Sequence, residues 1–263
     1  MKLYRITAVI HRHILLMTNE PHRIIDMVYW SLMDILMWGF TSIWLQGSAD
    51  QSTNLSLILL TSLVLWQVLV RTQMEVSLCL LEELWSRNMV NLFSTPLHIR
   101  EWIGAIMSVS FIKALGIALF GFAMVWFFFY LSPILSGWYL IPFFISLVVS
   151  GWWLGFLTTM ILVHTGQSAQ SLAWAMGWII APFSSVFYPV SILPPWAQYI
   201  AYALPTTYTF ESIRSLLTTG SIPAHYWYMG ILLNFLYIII IISMFTYVFK
   251  SSKKYGLARL EME

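Results

Sequence analysis

The sequence predicts an all-α integral membrane protein with six transmembrane helices and an N-terminal amphipathic helix at the membrane interface. Of its 263 residues, 59% are hydrophobic and only 9% are charged, whereas about one-quarter of a soluble domain is charged. Spanning the hydrocarbon core takes about 20 residues of apolar helix. Six apolar segments have nearly that length, at residues 24–46, 55–76, 103–131, 138–164, 172–188 and 227–249.

The N-terminal segment has an amphipathic pattern. Between residues 2 and 17, apolar side chains recur at helical spacing with basic residues between them, as in a helix lying on a membrane; they are Leu3, Ile6, Ile10 and Ile14. A simple basic anchor explains the pattern equally well. The segment lacks an unbroken apolar stretch and a small-residue cleavage site, so we do not expect a signal peptide.

The distribution of Lys and Arg orients the predicted spans, because cytoplasmic connections carry the excess of these residues. Basic residues precede the first span, occur in the second connection at Arg71, Arg87 and Arg100, and recur in the tail, while the first and third connections have none. We therefore expect a multi-pass protein of a cell membrane, a bacterial inner membrane or a plasma membrane, with both termini cytoplasmic. A single domain is expected over residues 1–263, made of an interfacial helix (1–23), a six-span bundle (24–249) and a tail (250–263).

Several functional classes find little support in the sequence. A net charge of +2 does not favour a nucleic-acid partner, since nucleic-acid-binding domains carry concentrated basic stripes. Cys79 is the only cysteine, so an intramolecular disulfide and a multi-cysteine metal site are excluded. No glycine is followed by lysine, as a phosphate-binding P-loop requires. We thus expect no catalytic residue, cofactor site or metal site in this chain.

Two charged residues lie inside predicted spans, where an ionisable side chain is costly and is by default a functional candidate. Asp34 and Lys113 each stand about ten residues from the cytoplasmic end of a span, which places both roughly 15 Å deep. We hypothesise that they pair across adjacent helices. Such a pair either fixes helix packing or belongs to a translocation path, and buried pairs are often structural.

Two local patterns predict helix geometry. Gly151 and Gly155 form a small-xxx-small motif, which permits close helix approach, and packing within the chain explains it better than a dimer contact. After the second span, Ser94 and Thr95 precede Pro96, which is the order of a hydroxyl cap followed by proline in the first turn of a helix. This order predicts a helix that starts in the cytoplasm and runs into the third span; a plain re-entry turn is the alternative.

Five motifs, in this order along the chain, carry a family resemblance. They are Glu82-Glu83, Leu92-Phe93-Ser94-Thr95-Pro96, Val186-Phe187-Tyr188-Pro189, Leu193-Pro194-Pro195-Trp196, and Leu204-Pro205 followed by Tyr208, Glu211 and Arg214. Together with the basic N-terminus and six spans, they make the chain resemble, over essentially its full length, the permease subunits of type-2 ABC exporters. Asn88 and Asn91 depart from the family pattern, because many relatives carry charges there.

The resemblance implies a transporter subunit that is not itself an enzyme. In this family, two permease subunits, identical or different, pair within the membrane lipid, and a separate ATPase subunit binds ATP and Mg²⁺. The region between the second and third spans docks on that ATPase, which implies coupling roles for Glu82, Glu83, Arg87, Leu92, Ser94, Thr95, Pro96 and Arg100. Family substrates include lipids, drugs, peptides and glycans. We favour a hydrophobic or amphiphilic small molecule or lipid, with a glycan or lipid-linked glycan as the alternative.

The segment from residue 183 to residue 205 is unusually rich in proline and aromatic residues. By the predicted topology it lies on the outer side, and the resemblance implies short re-entrant helices there, before the last span. We expect a gate at the outer exit, made by Phe187, Tyr188, Pro189, Leu193 and Pro194. Two other functions compete with the exporter. One is an integral-membrane transferase, although no reactive constellation stands out, and the other is a channel or scaffold.

Overall fold

A computed structural model describes residues 2–47, 55–131 and 137–255. This part of the chain is built from helices, in agreement with the predicted all-α class. In chain order they are α1 (Leu3–Asn19), α2 (Pro21–Gly47), α3 (Leu55–Trp85), α4 (Met89–Ser94), α5 (Ile99–Phe129), α6 (Leu140–Thr165), α7 (Leu172–Ile180), α8 (Pro195–Ala203), α9 (Pro205–Thr219) and α10 (Ala224–Tyr255).

Five of the helices in the described ranges are long and apolar enough to cross a membrane: α2, α3, α5, α6 and α10. Six long spans are therefore not found. The predicted span at 172–188 is only the short helix α7, followed by a 3-10 turn at Ala181–Phe183. Pro182 explains the break, since its ring removes a backbone donor and clashes with the preceding turn of an α-helix.

Helix α3 forms the centre of the bundle. In its most apolar window, 83% of the residues are buried, and α2, α5, α6 and α7 all pack on it. Its contact with α6 is close because that helix presents two glycines. A Cβ at Gly151 would lie 2.5 Å from Thr72 Cβ, and one at Gly155 would lie 2.6 Å from Val76 Cβ. The expected packing of this motif within the chain is confirmed.

Contacts along the helices give their relative directions. Helices α3 and α6 are parallel, because Thr72 faces Gly151 and Val76 faces Gly155. Helix α10 runs in the same direction as α6. Ser150 of α6 bonds Asn234 of α10, and Phe156, six residues further along α6, packs on Phe245, which is also further along α10. Helices α2 and α5 run the opposite way.

The predicted N-terminal helix forms as α1 and is attached to the bundle. Its Val9 and His13 side chains are buried, whereas Leu3, Ile14 and Leu15 are exposed. The buried face packs mainly on α5. The C-terminal part of α10 meets the same end of the bundle, where Lys253 Nζ donates to the Phe93 carbonyl at 3.0 Å.

Candidate functional site

Ion pairs attach α1 to the ends of α3 and α5. Arg12 binds Glu83 through two nitrogens, at 2.5 and 3.1 Å. Arg5 lies 3.3 Å from Glu101. The hydrogen bond from Arg5 to the Tyr4 hydroxyl raises the pKa of Arg5 above its ordinary value. These contacts give the N-terminal helix a defined position beside the connection between α3 and α5.

The structure places the predicted coupling residues Glu82 and Glu83 inside the chain's own network. Glu83 is 1% exposed and also accepts a hydrogen bond from Asn88 Nδ2 at 2.7 Å. Glu82 pairs with Arg23 and lies 3.5 Å from His13 Nδ1. Both carboxylates hold α1 and α2 against α3. A coupling role for Glu82 and Glu83 stays a prediction, and in this structure the oxygens of Glu83 are bonded within the chain.

The short helix α4 is half anchored and half exposed. Met89 and Phe93 are buried, and the Phe93 ring centroid lies 4.7 Å from that of Phe249 on α10. The opposite face of α4 is exposed at Asn91 and Ser94. The buried face of α4 is thus joined to α10 by an aromatic contact.

The predicted helix start at Ser94-Thr95-Pro96 is wrong. Ser94 ends α4, and the Thr95 hydroxyl donates back to the Leu92 carbonyl at 2.6 Å. Helix α5 instead begins at Ile99, with His98 as its cap and Glu101 accepting from the His98 amide at 3.0 Å. A carboxylate three residues after the cap is the capping-box arrangement. This capping box, and not the Ser-Thr-Pro order, sets the start of α5.

The remaining predicted coupling residues surround this connection. Arg87, Pro96 and Arg100 are exposed, and Leu92 is half-buried. Arg87 adopts a left-handed backbone with φ of 51°, which turns the chain out of α3 and into α4. A cleft of 310 Å³ lies between α1 and this connection, and its lining includes Arg12, Leu92 and Thr95.

The expected pair between Asp34 and Lys113 does not form. Lys113 Nζ bonds Glu75 Oε1 on α3 at 2.6 Å, and the two side chains are 18% and 11% exposed. Asp34 accepts a hydrogen bond from Gln67, also on α3. Asp34 on α2 and Lys113 on α5 thus each contact α3 and do not contact each other.

Glu75, which sequence reasoning missed, belongs to a polar row along α3. Cys79 lies one turn on, 3.5 Å from Glu75 Oε1 and 3.8 Å from His13 Nδ1. Glu82 follows at the next turn, since residues three and four apart share a helix face. The spacing of residues 75, 79 and 82 in the sequence is the signal that could have identified this polar row. In residues 2–47, 55–131 and 137–255, no group of three or more His, Cys, Asp or Glu is placed to hold a metal ion.

At the other end of the bundle, the predicted gate residues form an irregular segment between α7 and α8. Phe187 stacks on Trp38 of α2, with ring centroids 4.7 Å apart. The Tyr188 hydroxyl donates to the Pro182 carbonyl at 2.8 Å. Pro189 and Leu193 are half-buried, while Pro194 is exposed at the start of α8.

Helix α9 holds this segment through Glu211 and Arg214, which the sequence indicates only as part of a motif. Glu211 Oε1 accepts from the Val190 amide at 2.9 Å and from the Ser185 hydroxyl. Arg214 donates to the Ser185 carbonyl at 3.1 Å and to Glu211 at 3.0 Å. Ser185 has φ of 58°, so these bonds stabilise a backbone conformation that an L-residue rarely adopts.

The turn between α8 and α9 is closed by tyrosines. Tyr237 donates to the Ala203 carbonyl at 2.9 Å, and Tyr208 donates to the Tyr202 carbonyl at 2.9 Å. Tyr237 lies about 20 Å along α10 from the first residue of that helix. Both carbonyls of the turn thus have a donor within the protein.

The Glu75–Lys113 contact yields a testable prediction. Glu75→Gln or Lys113→Met leaves one buried charge unpaired and should cost about 3 to 5 kcal/mol, measured as a fall in the thermal unfolding midpoint. The exchange of Glu75→Lys with Lys113→Glu should recover part of the loss. The matched exchange of Asp34→Lys with Lys113→Asp should recover none, and recovery there would restore the rejected pairing.

A second prediction concerns the Glu211 contacts. Glu211→Ala removes a charged acceptor, worth about 1.5 to 3 kcal/mol, from the Val190 amide. Hydrogen exchange over residues 184–194 should then become between about ten- and a hundredfold faster. Thr218→Ala, on the exposed face of the same helix, is the control and should leave that rate unchanged. Equal rates in wild type and Glu211→Ala would show that α9 does not hold the segment.

Comparisons with known proteins add no family assignment. No protein-family model matches the chain, and no curated protein matches it. Two features of the structure therefore remain as guides to function. One is the half-exposed short helix α4 at one end of the bundle, and the other is the irregular segment between α7 and α8, which Glu211 holds in place.

Proposed function

We propose that this chain is the permease subunit of an ATP-driven exporter of the type-2 ABC class, pairing with a second permease and driven by a separate ATPase subunit that binds ATP and Mg²⁺. The observation that carries the proposal is α4. It is a six-residue helix between two membrane-crossing helices, with one face anchored in the core and the other exposed. That is the arrangement needed to receive motion from a docked partner and pass it to the spans.

The exposed face of α4 and its flanks form the proposed docking surface. Arg87, Asn91, Ser94 and Thr95 are exposed there. The carboxylates Glu82 and Glu83 act one layer behind this surface, by holding α1 and α2 to α3 through ion pairs. A movement of α4 would therefore reach α1, α3 and α10 together.

Helix directions support six membrane crossings, of which one is broken. Because α6 and α10 are parallel neighbours, the chain has to return across the membrane between residues 166 and 223. Helix α7 begins this return antiparallel to α3, since Gln73 Nε2 donates to the Ala173 carbonyl at 3.2 Å and Gly177 lies against Val70. The twelve residues from Leu172 to Phe183 extend about 18 Å, less than the hydrocarbon thickness of about 30 Å.

The hairpin of α8 and α9 supports a re-entrant arrangement. Its turn at Ala203 reaches the level at which Tyr237 can bond it, while Thr219 at the far end of α9 is exposed. In this proposal the turn lies inside the outer half of the membrane. The termini and α4 are cytoplasmic, in accord with the basic residues around them.

The broken segment is proposed to seal the exit. Its Phe187–Trp38 stack joins α2 to the irregular chain, and the Glu211 contacts hold that chain in one conformation. A hydrophobic or amphiphilic small molecule or lipid is the substrate class that we favour, since the surfaces beside the seal are apolar and aromatic.

Crosslinking at α4 tests the proposal. Cys79 is 1% exposed, so a thiol reagent will act at an engineered cysteine. Asn91→Cys, carrying a thiol–amine crosslinker, should become joined to a co-purifying chain that binds an ATP analogue, identified by mass spectrometry. Thr218→Cys, exposed at the opposite end of the bundle, is the control and should give no such product. Failure to recover a nucleotide-binding chain with Asn91→Cys, or equal recovery with both variants, would contradict the proposal.

A further inference from the structure

A cavity of 530 Å³ opens on the flank of the bundle, between α5, α6, α9 and α10. Its volume falls within the usual range for ligand pockets, about 300 to 1,000 Å³. Side chains along its walls are mainly apolar and include Met107, Phe143, Trp152 and Ile238. The lining residues come from those four helices, away from the docking surface on α4 and from the Phe187–Trp38 stack.

The polar groups around Asn234 in the cavity wall are bonded to one another. Asn234 donates to the Ser146 hydroxyl at 3.0 Å and accepts from Ser150 and Trp153 at 2.9 and 3.2 Å. The Ser146 hydroxyl also lies 2.8 Å from the Thr209 hydroxyl. Since these bonds occupy the amide and hydroxyl groups, an occupant has no need to supply hydrogen bonds at this depth.

The mouth of the cavity opens sideways. Ile145 on α6 and Ile231 and Phe235 on α10 form its lips, and they are 50%, 62% and 64% exposed. Large apolar side chains on the flank of a spanning bundle face the hydrocarbon of the bilayer. Along α10 the lining runs from Tyr226 to Ile238, a length of about 18 Å.

Size and chemistry favour an acyl chain over two other occupants. A whole helix about 10 Å across and 18 Å long fills roughly 1,400 Å³, which is more than the cavity encloses. An apolar cavity of this kind does not hold water stably. A flexible hydrocarbon chain matches the length, the volume and the mainly apolar lining of the cavity.

We infer that this cavity is a binding site for one acyl chain of a membrane lipid, which enters sideways between α6 and α10. The aromatic end of the cavity suits the interfacial part of such a molecule: Trp227 stacks on Phe143, with centroids 5.5 Å apart, and Tyr226 meets Tyr208 at 6.2 Å. Tyrosine and tryptophan favour the level of the headgroups. From there the acyl chain extends past Gly230 toward Trp152.

This site does not depend on the proposed transport function. A bound acyl chain fills the space that the side chains of α6, α9 and α10 leave open. Each methylene group that it buries adds to the binding.

Lipid retention in detergent tests the inference. The full chain, purified with extensive detergent washing, should keep a phospholipid in stoichiometric amount, as measured by mass spectrometry of an organic extract. Val149→Phe places a ring in the cavity and should lower retention by at least about tenfold, since several methylene groups lose their place. Ile145→Trp narrows the exposed mouth without touching the core and should act in the same direction.

Leu232→Phe is the matched control. It lies on α10 at a similar depth, is exposed, and does not line the cavity. Retention there should equal that of wild type. Recovery of a free fatty acid in place of a phospholipid, with the same dependence on Val149, supports the acyl-chain site and identifies its source. Equal retention by wild type, Val149→Phe and Ile145→Trp, or equal loss in Leu232→Phe, would overturn the inference.

Discussion

The close contact between α3 and α6 is the constraint on which the rest of the structure depends. Helices in a bilayer gain little from hydrophobic exclusion, because lipid tails are as apolar as leucine, and so they associate through close packing and hydrogen bonds. At Gly155 an added Cβ would meet Val76 Cβ at 2.6 Å and the Gln73 carbonyl at 2.9 Å. The two backbones therefore approach to a distance that only glycine permits. This approach makes α3 the central helix around which the other spans pack.

A central α3 also determines where polar groups can lie. Its buried face toward α1 and α5 carries Glu75, Cys79 and Glu82 in successive turns, and Lys113 and His13 come to them from neighbouring helices. These contacts join α3 to α5 and to α1 at the end of the bundle where α4 lies. At the other end of the bundle the polar contacts come from α9 instead, through Glu211. One end of the bundle is therefore held by contacts of α3 with α1, α2 and α5, and the other by contacts of α9 with the irregular segment after α7.

Sequence reasoning predicted the helical class and most of the span positions, since long apolar runs have few alternatives in a membrane. It did not predict the partners of Asp34 and Lys113. Equal depth says nothing about the direction in which a side chain points around its helix, and both turn toward α3. Glu75 was overlooked because it stands at the very end of a predicted apolar run. Pro182 predicts the break after α7, although the apolar run continues past it to residue 188.

The measurement that tests the central role of the α3–α6 contact most directly is thermal unfolding of glycine variants in detergent. Gly155→Ala should lower the unfolding midpoint by several degrees, because overpacking costs about 1 to 3 kcal/mol and here the obstacle includes a backbone carbonyl. Gly116→Ala on α5, where nothing lies within 4 Å of the added Cβ, should leave the midpoint unchanged or raise it slightly, since alanine favours helix by up to about 1 kcal/mol over glycine. Equal or higher midpoints for Gly155→Ala would contradict the account.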